Sequence, residues 1–570
     1  RGRWGGRLAG WQHLGMEGAV RGRRGGGGMR LGRVGGTGLA VVLPWSALVW
    51  GEGRERVAVV RSDWRRLSAP VAADRELDLA QTEMVVRAAL EELGGMRRFV
   101  GPEDRWVVIK PNLVTPTWRG SGDVTDAYVV WAVARLVHEA NPTARITIAE
   151  GPGEYVTPGH PEALQARPEV DGFALTGFTA ILGDTVLAGA RVELLDLNFD
   201  ESVSLTGAAT GDAYWVPRTV RDCDVFINVP VLKVTSAIGF TCAMKNLVGI
   251  LPGMRYGWPK SNGFPPDSGN PGIPNHYETR FDELIVDLHS VGRVDLVVVD
   301  AIVGMERGRV QAWGGHPRRL NTVIVGRDAV AVDAVCTRLV GFNPDDFEFL
   351  TLAGRLGLGT NEVGRLKLVG QPLTQVETRF AKVRQDDDPG RFGQSNRTWL
   401  VKGPWPLADE ARWRPDPGAL EPTPGIDGWS QAWYFDDDRI DLKPIWGRQT
   451  DCVGYAWAGF SAPKTQEVEL WLGSAEDLVV WLNGEEVYRF SGTRAHRLPN
   501  DRVPVRIRKG DNSLLVEVTR RHREWEFSLN VCQPEPDERY EGNRVTGLRF
   551  IIPGGTAAVP VRGPQAAGSP

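Results

Sequence analysis

The sequence Trp-Val-Val-Ile at residues 106–109 is followed by a helical stretch at residues 127–139, and then by Ile-Thr-Ile-Ala at residues 146–149. The two short runs have the β-branched composition of buried strands, whereas the longer stretch between them has the periodicity of a helix. Strands that alternate with helices of this length usually form a parallel sheet covered on both faces. These residues therefore predict an α/β fold.

The same alternation continues on both sides of this unit. A strand at residues 57–60 and a helix at residues 77–93 precede it, and strand-like runs follow at residues 225–229, 296–299 and 322–325. We therefore predict an α/β domain at residues 56–376 with a mostly parallel sheet and helices on both faces.

The composition changes after a run of three aspartates followed by Pro-Gly, which marks a predicted linker at residues 377–397. Residues 398–535 contain short alternating strands, and Asn483-Gly484 between two of them is a strong hairpin signal. This pattern predicts a C-terminal all-β sandwich or jelly roll. Residues 536–570 end in a tail rich in Pro, Gly and Ala, for which disorder is predicted.

The N-terminal residues 1–53 consist of an Arg/Gly-rich leader and a predicted signal peptide. If synthesis starts at Met29, the basic residues Arg30 and Arg33 precede an apolar run at residues 34–50, as in secretory signals. The alternatives are a buried first strand or an uncleaved anchor, since the run is slightly short for a membrane span. We expect a secreted protein, or one of the periplasm or cell envelope, with no stable membrane span after signal removal.

The overall composition limits the classes of partner. A chain of 570 residues with 42% hydrophobic content has enough material for two or three domains. The formal net charge of -4 gives no basic excess, which argues against a nucleic-acid binder. The cysteines are far apart and form no CxxC pair, so neither a zinc ribbon nor an iron–sulfur cluster is expected. They are Cys223, Cys242, Cys336, Cys452 and Cys532.

Charged side chains, amides and a glycine lie at or beyond the ends of the predicted strands, where open α/β sheets bind ligands. The candidates are, in chain order, Lys110, Asn112, Glu150, Gly151, Lys233, Lys245, Asn246, Asp300, Asp328 and Asp333. His276, at the end of a long polar loop, is a further candidate as a base or a ligand-binding residue, although a surface position is the commoner outcome for such a histidine.

Two compatible interpretations follow from these residue types. The lysines and asparagines suit a small anion such as a phosphate or carboxylate, because ammonium and amide groups can surround its oxygens. The acidic residues suit a divalent metal, which needs several hard oxygen ligands. The metal-ligating candidates are Asp300, Asp328 and Asp333, with Glu150 as a further carboxylate. A third interpretation is that Lys110 and Lys245 pair with the acidic residues and only hold loops together.

The motifs that carry these residues resemble the domain-of-unknown-function 362 family over about residues 56–365. They are Val-Ile-Lys-Pro-Asn at 108–112, Ala-Glu-Gly at 149–151, Leu-Lys at 232–233, Met-Lys-Asn-Leu-Val-Gly at 244–249, and the segment 326–334 with its two aspartates. The resemblance implies an α/β fold and frequent export, without an established reaction. A histidine commonly follows Leu-Lys in that family, whereas Val234 and Thr235 stand here. Some relatives carry ferredoxin-like cysteine clusters, which this chain lacks.

The C-terminal region resembles galactose-binding-like sandwich modules at residues 398–406, 480–484 and 509–512. The resemblance implies a possible glycan partner, because exposed tryptophans can stack on sugar faces. The strand pattern instead predicts that most of these tryptophans lie in the core. They are Trp471, Trp481 and Trp525.

The leading hypothesis is an exported protein whose α/β domain binds a small anion, with or without a divalent metal, and acts on it. The residues expected to hold the anion are Lys110, Asn112, Gly151, Lys233, Lys245 and Asn246, and those expected to carry catalysis are Glu150, Lys245 and Asp328. The alternative is a non-catalytic ligand-binding, carbohydrate-binding or scaffold protein attached through its β-sandwich. The residue types alone do not decide between an enzyme and a binding protein.

Overall fold

The computed structural model describes residues 54–153, 171–209, 213–235, 238–256, 281–383, 398–409, 412–435, 438–534, 544–551 and 561–562. The predicted leader and signal peptide, His276, most of the predicted linker and most of the predicted tail lie outside the described residues. The chain divides into two compact units at residues 1–43 and 44–570, and only the second contains described residues.

The helices within the described residues are α1 (Leu79–Glu91), α2 (Ala127–Ala140), α3 (Gly172–Leu175), α4 (Arg218–Asp222), α5 (Ala243–Asn246), α6 (Gly253–Tyr256), α7 (Phe281–Val291), α8 (Ala329–Leu339), α9 (Glu348–Arg355), α10 (Leu373–Val376) and α11 (Lys443–Trp446). None of them has the length and apolar composition needed to cross a bilayer.

The strands of the N-terminal region are β1 (Arg56–Arg61), β2 (Trp106–Lys110), β3 (Arg145–Glu150), β4 (Arg191–Asp196), β5 (Ser202–Leu205), β6 (Tyr214–Pro217), β7 (Val225–Asn228), β8 (Val231–Thr235), β9 (Gly239–Thr241), β10 (Leu296–Glu306), β11 (His316–Gly326) and β12 (Lys367–Gly370). The C-terminal region contains β13 (Thr398–Pro406), β14 (Trp433–Tyr434), β15 (Ile440–Asp441), β16 (Cys452–Ala462), β17 (Gln466–Ser474), β18 (Leu478–Leu482), β19 (Glu485–Phe490), β20 (Asp501–Ile507), β21 (Gly510–Arg520), β22 (Glu526–Cys532), β23 (Arg549–Ile551) and β24 (Val561–Arg562).

The central sheet of the N-terminal region has the strand order β12-β1-β11-β10-β7-β2-β3-β4, and β8 pairs with both β10 and β9. Most of its pairings are parallel, but β11 runs antiparallel to both neighbours and β9 runs antiparallel to β8. Two hydrophobic clusters include side chains from alternate positions of these strands together with helical residues. The prediction of a mostly parallel α/β sheet is confirmed, with one strand inverted near its middle.

Local sequence signals explain where the helices α1 and α2 begin. Asp78 accepts a hydrogen bond from the amide of Gln81, whose side chain accepts one from the amide of Asp78, and this capping box starts α1. Asp126 caps α2 by accepting from the amide of Tyr128. The main-chain amide of Thr125 donates to the carbonyl oxygen of Asn112 at 3.1 Å, so the loop between β2 and α2 returns to the end of that strand just before the capping residue.

The register of the parallel strands aligns their carboxyl ends along one edge. Lys110 at the end of β2 pairs with Asn228 at the end of β7, and Glu150 at the end of β3 pairs with Asp196. The inverted strand β11 instead ends at the opposite edge, because its last residue, Gly326, lies beside the first residues of β1 and β10. Residues that follow β11 therefore start from the edge opposite Lys110.

The C-terminal region contains two largely antiparallel sheets that share one hydrophobic core. The first has the order β19-β18-β21-β16-β13-β14-β24 with β23 beside β16, and the second has the order β15-β22-β17-β20. Buried side chains such as Val516 on β21 and Leu470 on β17 belong to the same cluster. Trp471 and Trp525 are buried, as the strand pattern predicts, whereas Trp481 is half-buried. The prediction of a β-rich C-terminal region is confirmed, and it also contains the short helix α11.

The hairpin predicted at Asn483-Gly484 joins β18 to β19. Both turn residues have positive φ, +54° and +88°, as a two-residue turn of the favoured hand requires. Asn tolerates this conformation and Gly adopts it without steric cost, so the sequence signal has a direct backbone cause.

Residues 544–551 contact both the C-terminal core and the α/β region. Leu548 packs in the core of the two antiparallel sheets, while its carbonyl oxygen accepts a hydrogen bond from the Asn343 side chain. Arg544 forms a buried ion pair with Asp346, and Arg549 donates to Glu362 at 2.9 Å. These hydrogen bonds and ion pairs hold the β-rich region against the segment that follows α8.

Candidate functional site

Lys110 and Glu150 form an ion pair at the carboxyl ends of the adjacent strands β2 and β3. Their side chains are 0% and 1% exposed, and the Lys110 ammonium also donates to the carbonyl oxygen of Pro111 at 3.0 Å. Burial lowers the pKa of Lys110, and the neighbouring Glu150 charge opposes that shift. The structure thus pairs these two candidates with each other, so Lys110 has no solvent-facing surface for a ligand.

Gly249 packs directly on this ion pair. A Cβ atom at that position would lie 2.6 Å from Glu150 Oε1 and 2.7 Å from Lys110 Nζ. Real Cβ atoms essentially never show such short contacts, so the ends of these two buried side chains would have to shift to admit one. Close packing therefore favours the glycine of the Lys-Asn-Leu-Val-Gly segment, and its backbone angle is not unusual.

A chain of amide side chains lies beside the ion pair. Asn112 Nδ2 donates to Asn246 Oδ1 at 3.1 Å, and Asn246 Nδ2 donates to Asn228 Oδ1 at 2.7 Å. Asn228 Nδ2 in turn donates to the carbonyl oxygen of Ala243, the first residue of α5. The three buried amides join β2, β7 and α5 at one edge, so this edge is held in a fixed arrangement.

Lys233 enters the same network from β8. Its ammonium donates to Asn112 Oδ1 at 2.8 Å and to the carbonyl oxygen of Asp123 at 2.7 Å. The main-chain N–H of Asn112 donates to Thr125 Oγ1, which donates to the carbonyl oxygen of Val229. The loop before α2 is thus part of the site.

Lys245 and Arg309 lie near Lys233, and the pairing of the neighbouring strands relates their positions. Lys233 pairs with Met305 on β10 and with Thr241 on β9, and each of the other two cations lies four residues beyond one of these partners. Lys245 Nζ lies 5.4 Å from the centroid of the Phe281 ring. Burial, followed by the positive charges of Arg309 and Lys233, lowers the pKa of Lys245 to about 7. Three cationic side chains therefore gather on this side of the amide network.

Sequence reasoning did not identify several of these residues. Asn228 is the next-to-last residue of the strand predicted at residues 225–229, and its position near a strand end was the available signal. Thr125 and Asp123 lie in the loop between a predicted strand and helix, where ligand-site residues are common. Arg309 follows an 11-residue strand that periodicity predicted as only four residues, so nothing marked it as a strand-end residue.

Gly151 lies buried directly after β3, next to Glu150. The following carbonyl, that of Pro152, accepts a hydrogen bond from the Asn198 side chain at 2.9 Å. Gly151 thus lies at the same sheet edge as the other strand-end candidates. The remaining ligand-binding candidate, His276, lies outside the described residues.

Asp300 lies within β10 and contacts the loop before α2. Its two carboxylate oxygens accept hydrogen bonds from the Asp126 amide at 2.7 Å and the Ile302 amide at 2.9 Å. Burial, followed by the charge of the Asp126 carboxylate, raises the pKa of Asp300 to about 7. Asp300 therefore fixes the start of α2, because it accepts a hydrogen bond from the main chain of Asp126, the residue that caps this helix.

Asp333 supports the helix that carries Lys245. It is fully buried on α8 and accepts from the amides of Ala243 at 2.7 Å and Met244 at 3.0 Å. Burial raises the pKa of Asp333 to about 7. Because Lys245 follows directly on the two bonded amides, Asp333 positions the backbone of that lysine.

Asp328 is the capping residue of α8. It accepts from the amides of Val330, Ala331 and Thr360 at 2.9 to 3.0 Å, and burial raises its pKa to about 6. The sequence grouped Asp328 with the other strand-end residues, but the inversion of β11 places it at the opposite edge of the sheet from Lys110 and Glu150. The structure therefore does not bring Asp328 into the cluster, and a catalytic role for it stays a prediction.

The three metal-ligating candidates bind main-chain amides at different places. Asp300 contacts the start of α2, Asp333 contacts the start of α5, and Asp328 contacts the start of α8. In the described part of the chain, no three His, Cys, Asp or Glu side chains are grouped so that they could hold a metal ion. A divalent metal stays a prediction that needs a binding experiment.

Comparison with protein families identifies the region that contains this cluster. Residues 107–338 match the family described as Domain of unknown function (DUF362). The family resemblance is thereby confirmed for the central part of the predicted span of residues 56–365. All candidate site residues lie within these matched residues, whereas the C-terminal sheets lie beyond them.

A curated protein and solved structures also show similarity to this chain. The thylakoid-associated protein sll1697 of Synechocystis sp. (strain ATCC 27184 / PCC 6803 / Kazusa) is 29% identical over 276 residues, which cover 48% of this chain and 74% of the relative. The lactate racemase apoprotein of Thermoanaerobacterium thermosaccharolyticum aligns with a TM-score of 0.29 and 10% identity over 50% of this chain and 62% of that one. A β-glucosidase of Kluyveromyces marxianus aligns with a TM-score of 0.17 and 10% identity over 25% of this chain and 16% of that one. Such low TM-scores carry no argument about fold or function.

The raised pKa of Asp300 leads to a prediction about stability and pH. A carboxyl whose pKa is raised from 3.8 to about 7 on folding binds a proton in the native state that the unfolded chain releases, so stability falls as pH rises through this window. We expect the free energy of unfolding of the unmodified protein to fall, relative to that of Asp300→Asn, by on the order of 2 kcal/mol between pH 5 and 8. Urea unfolding at several pH values measures this difference, and parallel profiles for the two proteins would contradict it.

Proposed function

We propose that the α/β region binds a small anion, a carboxylate or a phosphate, at the cationic cluster formed by Lys233, Lys245 and Arg309. The observation that carries the proposal is the convergence of three positive side chains at one place, where the charges of Arg309 and Lys233 add to the effect of burial in lowering the pKa of Lys245. Like charges held together in a buried space repel one another, and a bound anion reduces that repulsion.

The amide network supports this proposal because it orders the site before a ligand arrives. Asn112 fixes Lys233, and Asn246 ties α5 to the end of β7. Groups that are already oriented lose less conformational entropy when they bind a ligand, so the same contacts give a higher affinity. In this proposal, Lys110 and Glu150 stabilise the sheet edge beside the amide network and do not contact the anion.

We also propose that the protein is exported and that it acts chemically on the bound anion. The N-terminal pattern of basic residues followed by an apolar run supports secretion or a place in the cell envelope. Lys245 is the residue best placed to act on a bound anion, because its reduced pKa makes the uncharged amine accessible near neutral pH. Glu150 forms an ion pair with Lys110, so in this proposal it stabilises the site and does not act as its base.

One observation favours carbohydrate binding through the C-terminal region as a second candidate function. Trp405 and Trp413 are partly exposed and stack with their ring centroids 5.9 Å apart, and Lys402 Nζ lies 4.0 Å from the Trp413 centroid. Aromatic rings beside a polar group suit the apolar faces and hydroxyls of sugars. Such binding would not involve the cationic cluster.

Thermal unfolding of the full chain with added ligands tests the proposed function. Phosphate, acetate and propanoate are added singly, with and without Mg²⁺ or Mn²⁺, and soluble glucans are tested in parallel. A ligand at about 100 times its Kd adds about 2.7 kcal/mol of stability, which raises the melting temperature measurably. We expect an anion-dependent rise that Lys245→Met and Arg309→Gln each reduce.

The matched control is Arg506→Gln, which removes an exposed arginine of the C-terminal region. It is expected to leave the anion-dependent rise unchanged. A rise that all three variants retain would remove the cationic cluster from the proposal. A rise with glucans alone would favour the second candidate function, and a rise that needs the metal would establish the predicted cation.

A further inference from the structure

Two of the five cysteines have their sulfur atoms in contact. Cys242 Sγ lies 3.9 Å from Cys336 Sγ, although the two residues are 94 positions apart in the chain. Their side chains belong to the same hydrophobic cluster, and the two residues are 1% and 0% exposed. Both are free thiols in this structure, and neither takes part in the proposed anion site. The proposed function therefore leaves their contact unexplained.

The elements on which the two cysteines lie are bound to each other. Cys242 directly precedes α5, and Cys336 lies on α8 three residues after Asp333. Residues three positions apart share a helix face, so Cys336 and Asp333 face the same side. Asp333 accepts hydrogen bonds from the main-chain amides of Ala243 at 2.7 Å and Met244 at 3.0 Å. The start of α5 is thus held against the face of α8 that carries Cys336.

The distance between the sulfurs is that of unbonded neighbours, and a covalent bond needs little more. A disulfide brings two sulfurs to about 2.0 Å, so Cys242 Sγ and Cys336 Sγ must approach by about 1.9 Å. Rotation about the Cα–Cβ bond moves a cysteine sulfur over such a distance, and the hydrogen bonds to Asp333 already hold the two backbone segments side by side. The fold therefore places this pair so that side-chain rotation can join it.

We propose that Cys242 and Cys336 form a disulfide bond, which ties α5 to α8, when the chain folds in the presence of a low-molecular-weight disulfide. One cysteine, as its thiolate, attacks a sulfur of this reagent and displaces a thiolate from it. The second cysteine, as its thiolate, then attacks the protein sulfur of the mixed disulfide and displaces the other half of the reagent. Two S–H bonds break and one S–S bond forms. The two protons pass through the solvent to the displaced thiolates, so the reagent is reduced to two thiols.

Burial determines when this reaction takes place. It raises the pKa of both Cys242 and Cys336, so the folded chain holds them as thiols, whereas the thiolate is the reactive form. The reagent must also reach side chains that the folded protein encloses almost completely. We therefore expect the bond to form while the chain folds, before the pair is covered. The same enclosure then shields the finished bond from reductants.

The bond is expected to stabilise the α/β region. It joins residues 94 positions apart, and a cross-link over a long loop restricts the unfolded chain strongly. It also reinforces the two hydrogen bonds that hold α5, the helix that contains Lys245 and Asn246. The oxidised chain should therefore melt roughly 4–8 °C above the reduced chain. This inference does not depend on anion binding, since the cross-link is observed directly.

Refolding of the full chain from urea tests the inference. The chain is refolded at mildly alkaline pH, where exposed thiolates form, in a mixture of reduced and oxidised glutathione. Remaining thiols are blocked with iodoacetamide under denaturing conditions, and peptides are mapped by mass spectrometry without a reductant. We expect one linked pair per chain, between the peptides that contain Cys242 and Cys336. Thermal unfolding of this sample, and of a sample refolded with dithiothreitol, measures the stabilisation.

Two variants separate a specific cross-link from random oxidation. Cys336→Ala removes one sulfur, so the linked peptide and the difference in melting temperature between oxidised and reduced samples should both disappear. Cys223→Ala is the matched control, because the Cys223 thiol is also buried but donates to the carbonyl oxygen of Val220 at 3.5 Å. We expect this control to keep both the link and the difference.

Three results would overturn the inference. They are a natively folded chain with Cys242 and Cys336 unlinked, comparable amounts of links to other cysteines, and a linked chain that melts below the reduced one. The same peptide mapping of the chain purified from the oxidising compartment of a secreting host gives the answer if refolding fails. None of these results bears on the anion site, whose test is stabilisation by added ligands.

Discussion

Lys110→Met is expected to lower the free energy of unfolding by about 3–5 kcal/mol, the range for removal of one partner from a buried ion pair. The variant leaves the Glu150 carboxylate enclosed without its counter-charge, since both side chains are wholly buried in the native protein. The remaining carboxyl must either stay charged in a poorly solvated space or bind a proton at neutral pH, and both alternatives cost free energy. Equilibrium urea unfolding of the full chain at pH 7, followed by circular dichroism, measures the loss.

The double variant Lys110→Met/Glu150→Leu separates a buried-charge effect from a simple loss of packing. It removes both charges and fills a similar volume, so much of the stability lost in the single variant should return. The exposed pair between Arg489 and Glu486 provides the control, and Arg489→Met should cost less than about 1 kcal/mol. A double variant that is no more stable than Lys110→Met would show that the loss comes from packing and not from the uncompensated charge.

Gly249→Ala has the second largest expected effect, a loss of about 1–3 kcal/mol from overpacking of a filled interior. The added methyl group would lie within 2.7 Å of polar atoms of both Lys110 and Glu150, so the ion pair or the segment after α5 must move. Urea unfolding measures the loss, and thermal unfolding with propanoate reports whether the displaced segment still supports the anion site.

Gly364→Ala is the matched control for this substitution. A Cβ atom at Gly364 would meet nothing within 4 Å, so the change should stay within about 0.5 kcal/mol of the unmodified protein. Equal effects of the two substitutions would argue that Gly249 matters through backbone flexibility and not through contact with the ion pair. An unchanged stability of Gly249→Ala would show that the surrounding structure relaxes easily.

The parts of the fold that local sequence determines were predictable. Strands such as β2 and β3 are short β-branched runs, and α2 is an apolar helix with its capping aspartate, so composition and periodicity carry the assignment. The direction of β11 was not predictable in this way, because a buried strand has the same composition whether it runs parallel or antiparallel to its neighbours. That ambiguity is why Asp328 was grouped with Lys110.

The candidate site was predictable in its residue types more than in its contacts. Lys233 and Lys245 were identified at strand ends, but their different partners depend on which strands pair. The hydrogen bond between Asn112 and Asn246 joins residues 134 positions apart, and no local pattern specifies such a contact. Local patterns therefore indicate where charge accumulates, and tertiary structure decides which charges neutralise each other.

Residues 544–551 are synthesised after the two regions that they contact, so these contacts form late. A growing chain has residues 107–338 available for folding long before this segment leaves the ribosome, and N-terminal regions generally fold first. The C-terminal core lacks Val545 and Leu548 until then, and the buried carboxylate of Asp346 lacks Arg544. Chains shortened by proteolysis or premature termination before residue 544 would thus leave apolar surface and a charged acceptor uncovered at once, and exposed apolar surface makes a chain prone to aggregation.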